Sequence, residues 1–301
     1  MKERNFNVEI EYHADDFGMF IRQSRRILDC HRNGSLNGIS VMPNSPELEA
    51  CMELLEPYKK DIAVTIHLNL IEGQCVSAPE NVPFLVDGNG IFCATFGNLL
   101  ARSFLPGRDA LRKQLKQELR AQILKVKGHL EAGCPLRLDG HAHYHMIPVV
   151  FDALMDVIRE DQLDVSYIRI PRECVAVYWK NLTCLQGLSF INAIKVAILQ
   201  LLSNRNRKKY CRELSAYEKK LFMGVALSGH MFRENVELAL PDLIKIAQKE
   251  HCGIEILAHP GGVFEQDDIA RLTNKDDIDF LTDPLRDKEA GLFCREVLCE
   301  V

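Results

Sequence analysis

Short apolar runs rich in β-branched residues alternate along the chain with longer amphipathic segments. The apolar runs predict strands at residues 8–12, 38–42, 62–70, 136–145, 165–170, 222–228 and 254–258. An apolar residue at every third or fourth position predicts helices at 20–31, 46–58, 111–126, 147–162 and 236–251. Because strands and helices alternate, the pattern favours an α/β protein with a parallel sheet or barrel over an antiparallel sandwich.

The chain length of 301 residues fits one large core, and we predict a single domain over residues 1–301. Residues 174–221 break the alternation with two helical stretches, which we interpret as a helical insertion in the barrel. The basic run within it, residues 205–209, is typical of a solvated helix end. The apolar stretch 185–202 is interrupted by polar residues and is too polar for a membrane span, but it offers a surface for a homodimer.

Charge and cysteine content narrow the class of protein further. The formal net charge is −5, so no overall positive field attracts nucleic acid or an anionic membrane, and we expect neither as a partner. The N-terminus lacks an apolar signal core. Eleven cysteines are dispersed without a CxxC pair, which favours reduced thiols. We therefore expect a cytoplasmic protein.

Acidic residues and histidines follow the predicted strands at four places. Asp15 and Asp16 follow the first strand and His67 closes the third, while residues 139–145, DGHAHYH, close the fourth and His259 closes the last. In a barrel of parallel strands these ends converge on the face where active sites lie. We therefore expect residues more than 200 positions apart to share one pocket.

Each of these motifs also has a structural explanation. Paired aspartates after a strand commonly cap a helix, and a histidine among apolar residues is more often part of the core than a ligand. The HxHxH string is more specific, because alternation in a strand would place His141, His143 and His145 on one face, where three imidazoles need a metal or hydrogen-bond partners.

The combination fits metal-assisted hydrolysis. One carboxylate and two imidazoles suit a divalent ion with open positions. Such an ion acidifies water and polarises a carbonyl, a further carboxylate can accept the proton of water, and a further histidine can protonate a leaving nitrogen. We expect one divalent ion, Mg²⁺ or Zn²⁺. The histidines favour Zn²⁺ or another transition metal, but a mixed site tolerates several ions.

Four motifs in this order resemble those of the YdjC-like carbohydrate deacetylases. They are ADDFG at 14–18, HLNL at 67–70, DGHAHYH at 139–145 and HPG at 259–261. The resemblance implies a distorted TIM-like (β/α) barrel that removes acetyl groups from N-acetylated amino sugars in short, chitobiose-like oligosaccharides.

The resemblance also implies roles for individual residues. Asp16, His67 and His141 correspond to the metal ligands, Asp15 to the general base and His259 to the general acid. The remaining candidates support the site or face the substrate. Asp139 is expected to orient a ligand histidine, and Arg169 and Arg172 to contact substrate or tune Asp15. His143 and His145 are expected to support the ligands or face the substrate. One position departs from the family, because His13 stands where asparagine is usual.

Two alternatives remain open. Another metal-dependent hydrolase, an amidohydrolase or phosphoesterase, would also use a barrel, but the amidohydrolase HxH motif lies on the first strand and here it lies on a later one. A sugar- or metal-binding protein without activity would not require both proton-transfer groups, Asp15 and His259.

Overall fold

Seven parallel strands form one curled sheet at the centre of the chain, in a computed structural model that describes residues 6–179 and 187–294. The strand order is β5-β4-β3-β2-β1-β7-β6. The strands are β1 (Ile10–Phe17), β2 (Gly38–Val41), β3 (Ala63–Leu68), β4 (Leu136–Gly140), β5 (Val165–Ile168), β6 (Lys220–Met223) and β7 (Gly253–Ala258). The predicted α/β, TIM-like architecture of parallel strands is confirmed.

The two edges of the sheet approach each other across a short seam. The Glu218 amide donates to the Ser166 carbonyl at 2.8 Å, and the Phe222 amide donates to the Arg172 carbonyl at 3.2 Å. These two hydrogen bonds join the chain around β5 to the chain around β6, although the two strands do not pair along their length. The sheet is therefore curled into a distorted barrel.

Helices pack outside the sheet and follow the predicted pattern closely in the longer elements. In the described residues they are α1 (Ile21–Arg32), α2 (Leu48–Leu55), α3 (Phe96–Arg102), α4 (Arg108–Lys127), α5 (Pro148–Glu160), α6 (Ala176–Trp179), α7 (Phe190–Lys209), α8 (Cys211–Leu214), α9 (Arg233–Glu250), α10 (Gln266–Ile269), α11 (Lys275–Leu281) and α12 (Leu285–Ala290). The apolar positions predicted for α4 are buried from Leu111 to Val126. None of the helices in the two described segments has the length and apolarity to span a membrane.

Between β5 and β6, over the residues predicted to be a helical insertion, the described chain forms α6, α7 and α8. Residues 180–186, which belong to the expected insertion and include the start of the apolar stretch 185–202, lie outside the described residues. Helix α7 begins where the Ser189 side chain accepts a hydrogen bond from the Asn192 amide, a regular N-cap.

The predicted strand over residues 136–145 is wrong in its second half. Strand β4 ends at Gly140, and residues 141–146 form a distorted 3₁₀ turn in which Ala142 and His143 have φ angles of 45° and 59°. The turn folds the His145 ring back over Gly140, where a Cβ atom would lie 2.8 Å from His145 Nδ1. Glycine is required for this close approach, and the three histidines do not alternate along a strand.

The interior of the barrel is polar. Alternate positions of β1, Glu11, His13 and Asp15, are buried and contact charged side chains from the other strands. Arg137 on β4 donates to both Glu11 carboxylate oxygens at 2.7 Å. Branched aliphatic residues dominate the interior of a typical TIM barrel. This barrel differs, because an ionic network lies beneath its carboxyl-terminal face.

Candidate metal and active site

Three side chains meet at the carboxyl ends of neighbouring strands. Asp16 lies at the end of β1, His67 lies near the end of β3, and His141 directly follows β4. Asp16 has a φ angle of 66°, a left-handed conformation that a non-glycine residue adopts only at a cost and that is common at functional sites. All three residues are buried, and one potential ligand atom from each lies within 4.8 Å of the others.

The spacing of these atoms suits a shared divalent ion. Asp16 Oδ1 lies 2.9 Å from His141 Nδ1 and 3.4 Å from His67 Nε2, and the two nitrogens lie 3.3 Å apart. Two donors about 2.1 Å from one ion lie roughly 3.0 Å apart in octahedral and roughly 3.4 Å apart in tetrahedral geometry. These short contacts of Asp16 Oδ1 do not have the geometry of hydrogen bonds, so this buried oxygen is left without a hydrogen-bond partner. The three residues therefore fit a divalent ion.

A carboxylate holds the far nitrogen of each histidine in this cluster. His67 Nδ1 lies 2.7 Å from Asp139 Oδ1, and His141 Nε2 lies 3.1 Å from Asp277 Oδ2. Burial alone would lower the pKa of His67, but Asp139 and Asp15 raise it to about 9. Burial also disfavours the protonated form of His141. The Asp277 and Asp16 carboxylates favour it more strongly and hold the pKa of His141 well above its ordinary value.

Asp139 was expected from the sequence to orient a histidine, and the structure places it in contact with His67. Asp277 was missed. It lies 136 positions from His141 in a short acidic helix, which in sequence is typical of a solvated surface. Only the packing of residues 263–281 over the barrel face brings Asp277 to the cluster, and no local pattern indicates that contact.

The buried Arg169 guanidinium holds the Asp15 carboxylate from the interior of the barrel. The guanidinium donates to Asp15 Oδ2 at 2.9 Å and Asp15 Oδ1 at 3.0 Å, and it also contacts Asp139 Oδ2 at 2.6 Å. Its Nε and Nη2 atoms donate to Glu255 Oε1 at 2.8 and 2.6 Å. Burial would raise the pKa of Asp15, but Arg169 and His67 lower it well below its ordinary value. Asp15 is therefore ionised.

Arg169 thus contacts Asp15, the residue that it was expected to tune, and Glu255 is an additional partner that the sequence does not indicate. Glu255 is buried on β7, where a carboxylate in an apolar strand is the only sequence signal. Arg172 does not reach the site. It pairs instead with Glu250, at 2.6 and 3.0 Å, on the partly exposed outside of the barrel.

His259 lies beside the aspartate pair at the end of β7. Strand β7 pairs with β1 so that Ala258 is opposite Ala14, which places the following residues next to each other. The His259 amide donates to Glu289 Oε2 at 2.8 Å, and its ring packs edge-on against Phe280 at 4.9 Å between centroids. Burial lowers the pKa of His259, while the Asp16 and Asp15 carboxylates partly oppose that change.

His143 and His145 lie next to the cluster but do not belong to it. His145 Nε2 donates to the Arg169 carbonyl at 2.8 Å, and burial lowers the pKa of His145 to about 4. His143 packs edge-on against Phe222 at 5.5 Å between centroids, and burial with the Arg169 charge lowers its pKa well below the ordinary value. Both imidazoles are therefore neutral near pH 7, and His145 supports Arg169.

His13, the departure from the family pattern, lies in the ionic network. Its Nδ1 lies 2.7 Å from Glu11 Oε1 and its Nε2 lies 2.7 Å from Ser40 Oγ, which in turn donates to Asp139 Oδ2 at 2.5 Å. His13 also belongs to two further groups of acidic residues and histidines. Arg169 or Arg137 already occupies the carboxylates of those groups, so they do not fit an ion.

A cavity of about 730 Å³ opens beside this face of the barrel. Its wall is formed by the loops that follow β1, β2 and β3, together with residues 271–273, and Asn44, Glu72 and Arg271 supply polar groups to it. Strands β1 and β3 also carry Asp16 and His67. The cavity and the cluster therefore share their supporting strands, although none of the cluster's side chains lines the cavity.

The fold and the site define an α/β barrel with a carboxylate and histidine cluster suited to a divalent ion. Residues 10–294 match the family described as YdjC-like protein, and the chain belongs to that family.

Curated relatives carry deacetylase names. The chain is 29% identical over 169 residues to a carbohydrate deacetylase of Danio rerio, covering 55% of this chain and 50% of that protein. The chain thus spans about half the length of that relative. It is 26% identical over 235 residues to a chitooligosaccharide deacetylase of Yersinia pestis, covering 75% of this chain and 88% of the relative.

A solved structure matches the overall fold. A protein from Enterococcus faecalis, provisionally named a cellobiose-phosphate cleavage protein, aligns with a TM-score of 0.59. The alignment covers 96% of this chain and 97% of that protein at 17% sequence identity. At this identity the likeness establishes the shared barrel fold and nothing about chemistry.

Proposed function

We propose that the protein is a metal-dependent carbohydrate N-deacetylase that hydrolyses the acetamide of N-acetylated amino sugars in short, chitobiose-like oligosaccharides and releases acetate. The observation that carries the proposal is the convergence of Asp16, His67 and His141 with a second carboxylate, Asp15, and a third imidazole, His259, from four strand ends. The names of the curated relatives support the same reaction.

A divalent ion held by Asp16, His67 and His141 would polarise the acetamide carbonyl and acidify a water molecule. Asp15 is the group that accepts the proton of that water, and the two hydrogen bonds from Arg169 hold its carboxylate in one orientation. Asp15 is ionised and free of a proton, as a base must be.

His259 is the group that gives a proton to the amine nitrogen as the carbon–nitrogen bond breaks. Only its protonated form can do so; burial lowers the pKa of His259, and the neighbouring Asp16 and Asp15 carboxylates partly offset that lowering. The hydrogen bond from the His259 amide to Glu289 and the Phe280 ring fix the histidine at the edge of the site. Base and acid thus come from neighbouring strands, β1 and β7.

Two other functions would use the same cluster. A metal-dependent hydrolase of another class would release phosphate or a different amine and leave acetamido sugars intact. A sugar-binding protein would bind the oligosaccharide without turnover, although the paired Asp15 and His259 favour a reaction that moves protons.

The experiment that tests the proposed function is acetate release from N,N′-diacetylchitobiose by the wild type and Asp15→Asn. The asparagine is isosteric and lies outside the proposed ligand set, so we expect it to retain the ion and to lose turnover by roughly two to four orders of magnitude. Asp61→Asn, at an exposed position before β3 and at the opposite end of that strand from His67, is the matched control and should keep wild-type turnover. Equal turnover by the wild type and Asp15→Asn would contradict the role of Asp15.

The proposal extends to features that accompany the reaction. The bound ion is Zn²⁺ or Mg²⁺, one per chain, and the protein is a cytoplasmic enzyme built as a single domain with a helical insertion. A homodimer would form through exposed apolar residues on α7, namely Phe190, Ile191, Ile194 and Leu201. Light scattering of the wild type and Leu201→Glu tests this contact, and equal masses for both would contradict it.

A further inference from the structure

The helix α11 is fastened to the loop that follows a ligand strand. Asn274 caps the helix by accepting hydrogen bonds from the Asp276 and Asp277 amides at 2.9 and 3.2 Å. The Glu72 carboxylate accepts from the Thr273 and Asn274 amides, each at 2.8 Å. Glu72 follows β3, the strand that carries His67, so the position of α11 is tied to the site.

One face of α11 points at the site. Asp277 and Phe280 are three residues apart and therefore share a face of the helix. Asp277 Oδ2 lies 3.1 Å from His141 Nε2, and the Phe280 ring packs against His259. The Asp277 side chain is 13% exposed, whereas Asp276 lies on the exposed side of the same helical turn.

We propose that Asp277 is a positioning residue that fixes His141 for metal binding. By accepting a hydrogen bond from His141 Nε2, the carboxylate leaves His141 Nδ1 to face Asp16 Oδ1 and His67 Nε2, where the ion would bind. This inference rests on the metal site of the proposed function.

Each of the two proposed ligand histidines is therefore held by a carboxylate at the nitrogen that faces away from the ion. Asp139 holds His67 through its Nδ1, and Asp277 holds His141 through its Nε2. A carboxylate on the far nitrogen of a ligand histidine fixes the ring and strengthens the ligand, and its loss typically weakens metal affinity by about 10- to 100-fold. Asp139 comes from the barrel itself, whereas Asp277 comes from a helix laid across its face.

The test is a calorimetric titration of the ion-stripped protein with Zn²⁺ in the presence of a competing chelator. We expect Asp277→Ala to raise the Kd for Zn²⁺ by about 10- to 100-fold. Asp277→Asn should raise it less, because the amide oxygen can still accept from His141 Nε2. Asp276→Ala is the matched control, since it removes a carboxylate from the same helical turn, and should leave the Kd unchanged.

The thermal midpoint of each ion-free variant separates positioning from folding. We expect Asp277→Ala and Asp276→Ala to unfold within a few degrees of each other while their Zn²⁺ affinities differ. Equal Kd values for wild type and Asp277→Ala, or equal weakening by the two alanine variants, would overturn the inference alone. A wild type that binds neither Zn²⁺ nor, in a parallel titration, Mg²⁺ would contradict the metal site of the proposed function as well; if it binds Mg²⁺ alone, the same variants are compared with Mg²⁺.

Discussion

Replacing Arg169 by lysine tests how much the ionic network beneath the site stabilises the fold and orients Asp15, the proposed general base. The guanidinium makes two contacts to Asp15, two to Glu255 and one to Asp139. A lysine keeps the charge but offers at most three donors without the planar fork. At least two of these five contacts to carboxylates are therefore lost.

Each lost hydrogen bond to a charged group costs about 1.5–3 kcal/mol, so we expect Arg169→Lys to lower the free energy of unfolding by about 3–6 kcal/mol. At roughly 2 °C per kcal/mol for a chain of this size, the thermal midpoint should fall by about 6–12 °C. Turnover should fall as well, by roughly 100-fold, because Asp15 loses one of the two bonds that orient it.

Thermal unfolding and acetate release measure both effects on the same samples. Arg172→Lys provides the control, because Arg172 pairs with Glu250 at the partly exposed surface and its replacement should change the unfolding free energy by no more than about 0.5 kcal/mol. If Arg169→Lys has the same thermal midpoint and turnover as the wild type, the buried guanidinium does not organise the site.

Two further predictions follow from the histidines. Burial lowers the pKa of His145 from 6.5 to about 4. As the pH falls below 6.5, His145 takes up a proton in the unfolded chain before it does so in the folded chain. The free energy of unfolding therefore decreases as the pH falls from 6.5 towards 4. The loss is about 3 kcal/mol, and urea unfolding at pH 7 and 4.5 should show a smaller loss for His145→Gln than for the wild type. Because the pKa of His67 is raised to about 9, Zn²⁺ binding at pH 7 should release at least one proton, measured as a dependence of the binding enthalpy on buffer ionisation heat; an enthalpy that is the same in every buffer would contradict this.

The strand ends that carry the site could be predicted because each acidic residue or histidine comes directly after, or closes, an apolar run with the pattern of a strand. Asp15 and Asp16 directly follow an apolar run, and His67 and His259 close two others, so the parallel-barrel rule alone brings them to one face. The helical pattern of α4 and α5 was equally clear, because each buries a regular apolar stripe.

The parts that could not be predicted depend on contacts between distant residues. Strand β4 ends at Gly140 because His145 folds over that glycine. The alternating histidines at 141, 143 and 145 are compatible with a strand or a turn, so the sequence pattern alone does not predict where the strand ends. Asp277 reaches His141 only after Glu72 and the apolar packing of residues 263–281 fix α11 against the barrel.

The proposed hydrolysis of an acetamido sugar depends on one divalent ion at Asp16, His67 and His141. The most direct measurement determines ion content and acetate release from N,N′-diacetylchitobiose on the same samples: the protein as purified, after chelator, and after addition of one equivalent of Zn²⁺ or Mg²⁺. We expect turnover to disappear with the ion and to return with about one ion per chain. Full turnover in ion-free protein, or restored ion without any acetate, would contradict it.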